Sequence, residues 1–233
     1  MKLKTNIMRL FLMVIISIFS VHISYGAESI MSLRAKAEQG DAVAQFNLAI
    51  MYENGKGVVE DKAEAVKWYR LAAEQGLVKA QNNLGLMYDE GEGVVKDQAE
   101  ALKWYRLAAD QGDPKAQNNL GTIYENCRGV AKNAAEAVKW YKLAAEQGNE
   151  DAQYNLGVLY DGGNGIAQNG DEAVKWYKLA ANQGHLDAQY NLGIMFLNGK
   201  NIKQDKLEAI KWFKLAAKQG DKDAQKILRR IND

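Results

Sequence analysis

A Gln-Gly pair closes at Gly40, Gly76, Gly112, Gly148, Gly184 and Gly220, and each of these glycines lies 36 residues after the one before it. A strict period of that size is the mark of a repeat architecture, in which each unit leaves an apolar face that only its neighbour can cover. Other landmarks keep the same beat. An Ala-Gln pair recurs at Gln45, Gln81, Gln117, Gln153, Gln189 and Gln225, and Asn-Leu follows at Leu48, Leu84, Leu120, Leu156 and Leu192. The five tryptophans, Trp68, Trp104, Trp140, Trp176 and Trp212, all occupy one position of the unit. The 233 residues are therefore expected to form one elongated domain that grows by adding units, and not one or two ordinary globular domains.

Each unit reads as two helices joined by a glycine-bearing turn. In the first helix Ala44, Gln45, Leu48, Ala49 and Tyr52 fall at offsets that share one stripe at about 100° per residue, so this stripe is the packing face. The residue after the leucine is Gly85, Gly121, Gly157 or Gly193 in four units and Ala49 in the first, which points to close approach of a neighbouring helix. The second helix opens at Asp61, Asp97, Asn133, Asn169 or Asp205, with Glu64, Glu100, Glu136, Glu172 and Glu208 three residues on, the spacing of a capping box. The glycine of Gln-Gly suits the left-handed position that ends a helix, and Pro114 sits in a first turn, where proline costs least. The expected fold is all-α: five repeats at 41–76, 77–112, 113–148, 149–184 and 185–220, between cap helices at 27–40 and 221–233. In the caps, Ser32 and the pair Arg229 and Arg230 put polar groups where interior units are apolar.

Residues 1–26 read as a secretory signal. Lys2, Lys4 and Arg9 form a charged start, Leu10 to Phe19 is apolar, and Ser24 and Gly26 are small residues at the two positions a signal peptidase examines. Cleavage near Gly26 is expected, giving a periplasmic or secreted chain without stable membrane insertion; an uncleaved anchor is the competing reading, although the apolar stretch is short for a span. Setting those three basic residues aside leaves 27 basic residues against 29 acidic. That balance, with no basic block, argues against nucleic acid as a partner.

The linked motifs Ala-Gln-x-Asn-Leu-Gly-x-x-Tyr, Gly-x-Gly-Val, Glu-Ala-x-Lys-Trp-Tyr and Leu-Ala-Ala-x-Gln-Gly, over about residues 41 to 220, resemble the Sel-1-like repeat family, a branch of the tetratricopeptide-like α-solenoids. The resemblance implies stacked helical hairpins in a right-handed superhelix, used mostly as scaffolds for protein complexes, with many bacterial members exported. It implies no particular reaction. The turn departs from the family pattern at Cys127-Arg128-Gly129 and at Gly199-Lys200-Asn201, where Asn201 can take the left-handed conformation of a glycine.

Little in the chain supports catalysis. Cys127 is the sole cysteine and has no resolving partner, so a tolerated loop substitution outweighs a redox role. His185 stands where other units carry Asp41, Asp113, Asn149 or Asp221, and reads as a helix cap. No metal-ligand cluster or cofactor motif is visible, and no Ser-x-x-Lys supplies an activated serine. The expectation is a non-enzyme without cofactor or metal. The alternative is a wall-associated protein that binds or hydrolyses β-lactams, as a cysteine-rich branch of the family suggests, or one that binds wall glycan without chemistry. The tryptophans read as core packing between units.

Residues that vary between units carry the binding expectation. Offsets two, six and nine of the first helix lie opposite the packing stripe, facing the concave side of such a superhelix. They are Phe46, Ile50 and Glu53; Asn82, Leu86 and Asp89; Asn118, Thr122 and Glu125; Tyr154, Val158 and Asp161; and Tyr190, Ile194 and Leu197. The acids Glu53, Asp89, Glu125 and Asp161 would form a rail for a protein or peptide with a basic segment, bound by a monomer. On the second helix, Lys67 and Arg70 and their equivalents form a basic row that Glu74, Asp110 and Glu146 can discharge from four residues on.

Overall fold

The computed structural model describes residues 30–126, 133–199 and 201–232. The expected signal at 1–26 and Cys127 lie outside the described residues. Twelve helices follow one another, with no strand among the described residues. They are α1 (30–38), α2 (Ala42–Asn54), α3 (Lys62–Glu74), α4 (Val78–Glu90), α5 (Gln98–Asp110), α6 (Pro114–Glu125), α7 (Ala134–Glu146), α8 (Glu150–Gly162), α9 (Gly170–Gln183), α10 (Leu186–Asn198), α11 (Lys206–Lys218) and α12 (Lys222–Asn232). The chain divides into two compact units, one ending at Asp97 and the other beginning at Gln98. The first holds α1 to α4 and the second α5 to α12. None of the described helices is long and apolar enough to cross a membrane.

The first helices start as the sequence dictates. Asp41, Asp113, Asn149 and Asp221 each accept a hydrogen bond from the backbone N–H three residues on, at 2.7, 2.8, 2.8 and 2.6 Å. A short side-chain acceptor there satisfies one of the donors that a helix start leaves orphaned. Pro114 occupies the first turn of α6, where no N–H is needed.

Only half of the expected capping box forms at the second helices. Asp61, Asn133, Asn169 and Asp205 do accept from the N–H of the glutamate three residues on, at 2.9 to 3.1 Å. Their own N–H groups bond instead to the carbonyls of Tyr52, Tyr124, Tyr160 and Phe196 on the preceding helix. The glutamate side chains are thereby released to other donors. Glu100, Glu136, Glu172 and Glu208 accept from the indole N–H of Trp104, Trp140, Trp176 and Trp212 at 2.9 to 3.2 Å. A buried indole needs such an acceptor, and the glutamate one turn earlier is within reach.

The two glutamine landmarks prove to be partners. Gln45, Gln81, Gln117, Gln153, Gln189 and Gln225 each donate to the carbonyl of the alanine eight residues earlier, at 3.0 to 3.2 Å. That carbonyl belongs to the last turn of the preceding helix, where it also accepts from the N–H of the closing glycine. The glutamine before each closing glycine then donates to the first: Gln75 to Gln45, Gln147 to Gln117, Gln183 to Gln153 and Gln219 to Gln189, at 2.7 to 2.9 Å. Burial in a nearly apolar core makes an unpaired amide costly, by about 1–3 kcal/mol, so the pair fixes the register of one repeat on the next.

Packing follows the predicted stripe. Ala44, Gln45, Leu48 and Ala49 are buried, as are their counterparts in the later first helices. The small residue after each leucine has a definite neighbour. A Cβ on Gly121, Gly157 or Gly193 would lie 2.5, 2.4 or 2.5 Å from the ring of Tyr141, Tyr177 or Phe213 on the following second helix. Hairpins α6/α7, α8/α9 and α10/α11 therefore close ring against backbone. Trp104, Trp140, Trp176 and Trp212 are buried, while Trp68 is half-buried against Ala37, Ala44 and Leu48. Asn201 takes φ 62°, as its place in the turn requires.

Candidate functional site: the wall of first helices

Within each first helix the register brings offsets two, six and nine to one side of that helix. The aromatic residue at offset two lies on the second-helix aromatic of its own repeat. Phe46 and Tyr69 have ring centroids 5.7 Å apart, Tyr154 and Tyr177 5.8 Å, and Tyr190 and Phe213 5.9 Å. These tilted and edge contacts are the favoured arrangement of ring quadrupoles. Phe46, Ile50 and Glu53 on α2, Asn118, Thr122 and Glu125 on α6, Tyr154, Val158 and Asp161 on α8, and Tyr190, Ile194 and Leu197 on α10 are all half-buried. Of the three candidates on α4 only Leu86 is exposed. Asn82 and Asp89 are buried and already engaged by other groups, so these two do not stand open as the sequence alone suggests.

The acids at offset nine have an internal role that the sequence reading missed. Tyr69 donates its hydroxyl to Glu53 Oε2 at 2.5 Å, and Tyr141 donates to Glu125 Oε2 at 2.8 Å. Both tyrosines are fully buried up to that hydroxyl, whose O–H the wall carboxylate accepts. The following repeat adds an asparagine: Asn83 donates to the Tyr69 oxygen at 3.1 Å, and Asn191 to that of Tyr177 at 3.3 Å. Thr122 shares a hydrogen bond with the Tyr141 hydroxyl at 3.1 Å, and Asn155 donates to Asn118 at 3.1 Å. Acid, tyrosine and asparagine thus form a hydrogen-bonded chain linking one repeat to the next.

A sign of this pairing does exist in the sequence. In the fifth repeat the second-helix aromatic is Phe213, which has no hydroxyl, and offset nine is Leu197, which has no carboxylate. Donor and acceptor disappear together, and Leu197 packs on the cluster of Ala209, Phe213, Ala216 and Ala224 instead.

Electrostatics at the wall follow from burial. The hydroxyls of Tyr69 and Tyr177 are held above the ordinary tyrosine range, chiefly because burial disfavours the phenolate. The hydrogen bond to Glu53 raises Tyr69 further, and the charge of Asp161 raises Tyr177, while the asparagines oppose both shifts. Tyr154 is also raised, by burial first and then by the charge of Asp187. Each tyrosine bond takes one carboxylate oxygen and leaves the negative charge in place, so the wall stays acidic.

His185 is the cap of α10. Its Nδ1 accepts from the N–H of Ala188 at 3.3 Å, its ring stacks on Tyr154 at a centroid distance of 4.4 Å, and Nε2 lies 3.8 Å from Asp151 Oδ1. The lone pair that a general base would use is committed to the helix start.

The basic row of the second helices is arranged differently from the expected i,i+4 pairing. Lys67, Lys103, Lys139, Lys175 and Lys211 pair backwards with Glu64, Glu100, Glu136, Glu172 and Glu208, at 2.7 to 3.7 Å. Arg70 and Arg106 reach the hydroxyls of Tyr88 and Tyr124 in the following repeat, the latter at 2.7 Å. Glutamates at the start of the helix lie one turn before these lysines, and their carboxylates are not taken up by the half-formed box.

Stacked helical hairpins, locked to one another by glutamine, tyrosine and arginine bonds at a fixed period, define an α-solenoid repeat protein. The chain belongs to the Sel1 repeat family: the model of the Sel1 repeat matches residues 42–77, 78–113, 114–149, 150–185 and 186–221. Among solved structures, it is similar to a protective antigen of uropathogenic Escherichia coli strains displaying an SLR fold, with 41% identity and a TM-score of 0.82 over 85% of this chain and 43% of that one. It is also similar to a Sel1 repeat protein from Oxalobacter formigenes, with 39% identity and a TM-score of 0.75 over 84% of this chain and 78% of that one. An immunity protein from Pseudomonas aeruginosa matches at 28% identity and a TM-score of 0.51, over 78% of this chain and 66% of that one. The chain thus spans less than half the length of the E. coli antigen. No curated protein is significantly similar to it. Sel1 repeat solenoids typically serve as scaffolds for protein–protein interaction.

Proposed function

We propose that this chain is an exported protein, working in the periplasm or outside the cell, that binds other proteins without chemistry along the wall of its first helices. The observation that carries this reading is the division of labour within the repeat. Packing positions are nearly constant, whereas the wall presents Phe46, Asn118, Tyr154 and Tyr190 at one offset and Glu53, Glu125, Asp161 and Leu197 at another. A surface whose composition is free of the packing constraint can be fitted to one partner. The retained negative charge favours a basic segment, and half-buried Tyr154 and Tyr190 offer rigid anchors of the kind that dominate interfaces. Likeness to an immunity protein supports a protein as the partner. His185, fixed as a cap beside Tyr154, supports a binding role over a catalytic one.

Crosslinking and pull-down of the mature protein from envelope extract tests this reading. A recovered protein whose affinity falls with salt, and falls again by about tenfold in Asp161→Lys with Tyr154→Ala, is the expected result. Recovery of muropeptides, or turnover of a β-lactam by the pure protein, overturns it.

A further inference from the structure

The cap of α10 is chemically unlike the others. Helices α2, α6, α8 and α12 begin on a side-chain oxygen of Asp41, Asp113, Asn149 or Asp221, and α4 begins at Leu77 with no side-chain acceptor. Such an oxygen keeps a lone pair for the backbone whatever the pH near neutrality. Nδ1 of His185 has a single lone pair, given to the N–H of Ala188 at 3.3 Å, and a proton placed there turns the acceptor into a donor. Histidine is the side chain that exchanges its proton between about pH 5 and 8.

The same ring supports the wall. It stacks on Tyr154 with centroids 4.4 Å apart and planes at 16°, while Tyr154 meets its own repeat through Tyr177. One of the two rings that hold this anchor can therefore change charge. The groups about His185 are acidic. Asp151, with Glu150 before it, comes from the first turn of α8, and Asp187, whose charge already acts on Tyr154, from the first turn of α10. α9 ends beside the ring in Gln183, and from α11 Gln219 donates to the Gly184 carbonyl at 2.9 Å; both are neutral amides, and Lys218 next to the latter is exposed. Nε2 lies 3.8 Å from Asp151 Oδ1, beyond hydrogen-bond reach while the ring caps α10. An imidazolium in this place denies Ala188 its acceptor, sets a positive charge at a helix N-terminus where the dipole opposes it, and is attracted by Asp151.

We propose, on the reading of the wall as the binding surface, that His185 makes its hold on a basic segment pH-sensitive: as pH falls, the imidazolium leaves the start of α10 for Asp151, Tyr154 loses the ring stacked on it, and the segment is released. The added charge also offsets the acids of the wall, so geometry and electrostatics weaken the hold together.

The test has two arms. In the free protein, NMR follows the His185 ring, the Ala188 amide and the Tyr154 ring from about pH 7.5 to about 5.5, with His185→Asn assigning the histidine signal. All three are expected to move along one titration curve. An Ala188 amide that stays put while the ring titrates, or a ring that keeps one charge over the whole range, overturns the proposal. Binding is then read by calorimetry with a blocked peptide of alternating arginine and serine, whose own charge is constant over this range. Its affinity is expected to fall about fivefold or more between the two pH values, and by no more than about twofold in His185→Asn, which keeps a cap of the kind that Asn149 provides. An equal fall in His185→Asn overturns the switch and leaves the wall standing as a binding surface. No saturable binding at the higher pH up to about 1 mM, or binding untouched by Asp161→Lys with Tyr154→Ala, instead sinks the wall reading and the switch with it.

Discussion

At the scale of single residues, the wall shows how one side chain can serve stability and recognition together. Glu125 accepts from buried Tyr141 and still presents its charge, and the fifth repeat replaces both partners at once with Leu197 and Phe213. Glu125→Leu or Tyr141→Phe alone is expected to cost about 1–2 kcal/mol, because either removes one side of a hydrogen bond to a charged acceptor. The double variant should cost less than the sum, with a coupling of about 1 kcal/mol in denaturant titrations. Strict additivity would show that the bond contributes nothing. The buried tyrosines also make a pH prediction. Tyr69 and Tyr177 hold their protons more tightly in the fold than in the unfolded chain, so the stability they confer is full below the unfolded tyrosine pKa of about 10. It is lost as pH rises beyond that value towards the folded one. Melting temperature should fall above that pH, and less steeply in Tyr69→Phe; tyrosinate absorbance rising before the helix signal is lost would contradict the assignment.

At the scale of helices, each hairpin closes on a ring. In α8 the missing Cβ of Gly157 makes room for Tyr177, since a methyl there would stand 2.4 Å from the ring. Gly157→Ala gains about 1 kcal/mol of helix propensity but forces an overlap that typically costs about 1–3 kcal/mol. A net loss of stability is expected by chemical denaturation. Repeat one sets the limit on that loss, because Ala49 occupies the same position with the hairpin α2/α3 intact. A more stable Gly157→Ala variant would mean that the hairpin opens at little cost.

For the whole molecule, the repeat makes stability a sum of units and their interfaces. Trp140 is 4% exposed, donates its indole N–H to Glu136 and lies under Arg106 of the preceding repeat. Its removal takes contacts from two repeats at once. Trp140→Ala is therefore expected to cost about 3–5 kcal/mol, read from the midpoint of thermal or denaturant unfolding. Export is tested at the same scale: mass spectrometry of the protein from its native compartment should find a chain beginning at Ala27, and an intact Met1 in the cytoplasm would refute it.

The helices and their order were legible in the sequence because both depend on local chemistry. Asp and Asn caps, the closing Gly residues and the stripe through Leu48 and its equivalents each act within a few residues, and a 36-residue period repeats that information five times. The same locality explains the correct placement of His185 as a cap. What the side chains bond to was decided only in three dimensions. Glu136 was legible as half of a capping box, yet the Asn133 N–H turned to the Tyr124 carbonyl and left the carboxylate to Trp140 and Lys139. Glu53 read as a groove acid, but a buried tyrosine hydroxyl 16 residues away needed an acceptor and took it. Arg106 had an acid four residues on and reached Tyr124 of the next repeat instead. In each case several partners lay within reach of one side chain, and burial settled the choice, because a polar group removed from water must bond to whatever the packing brings beside it.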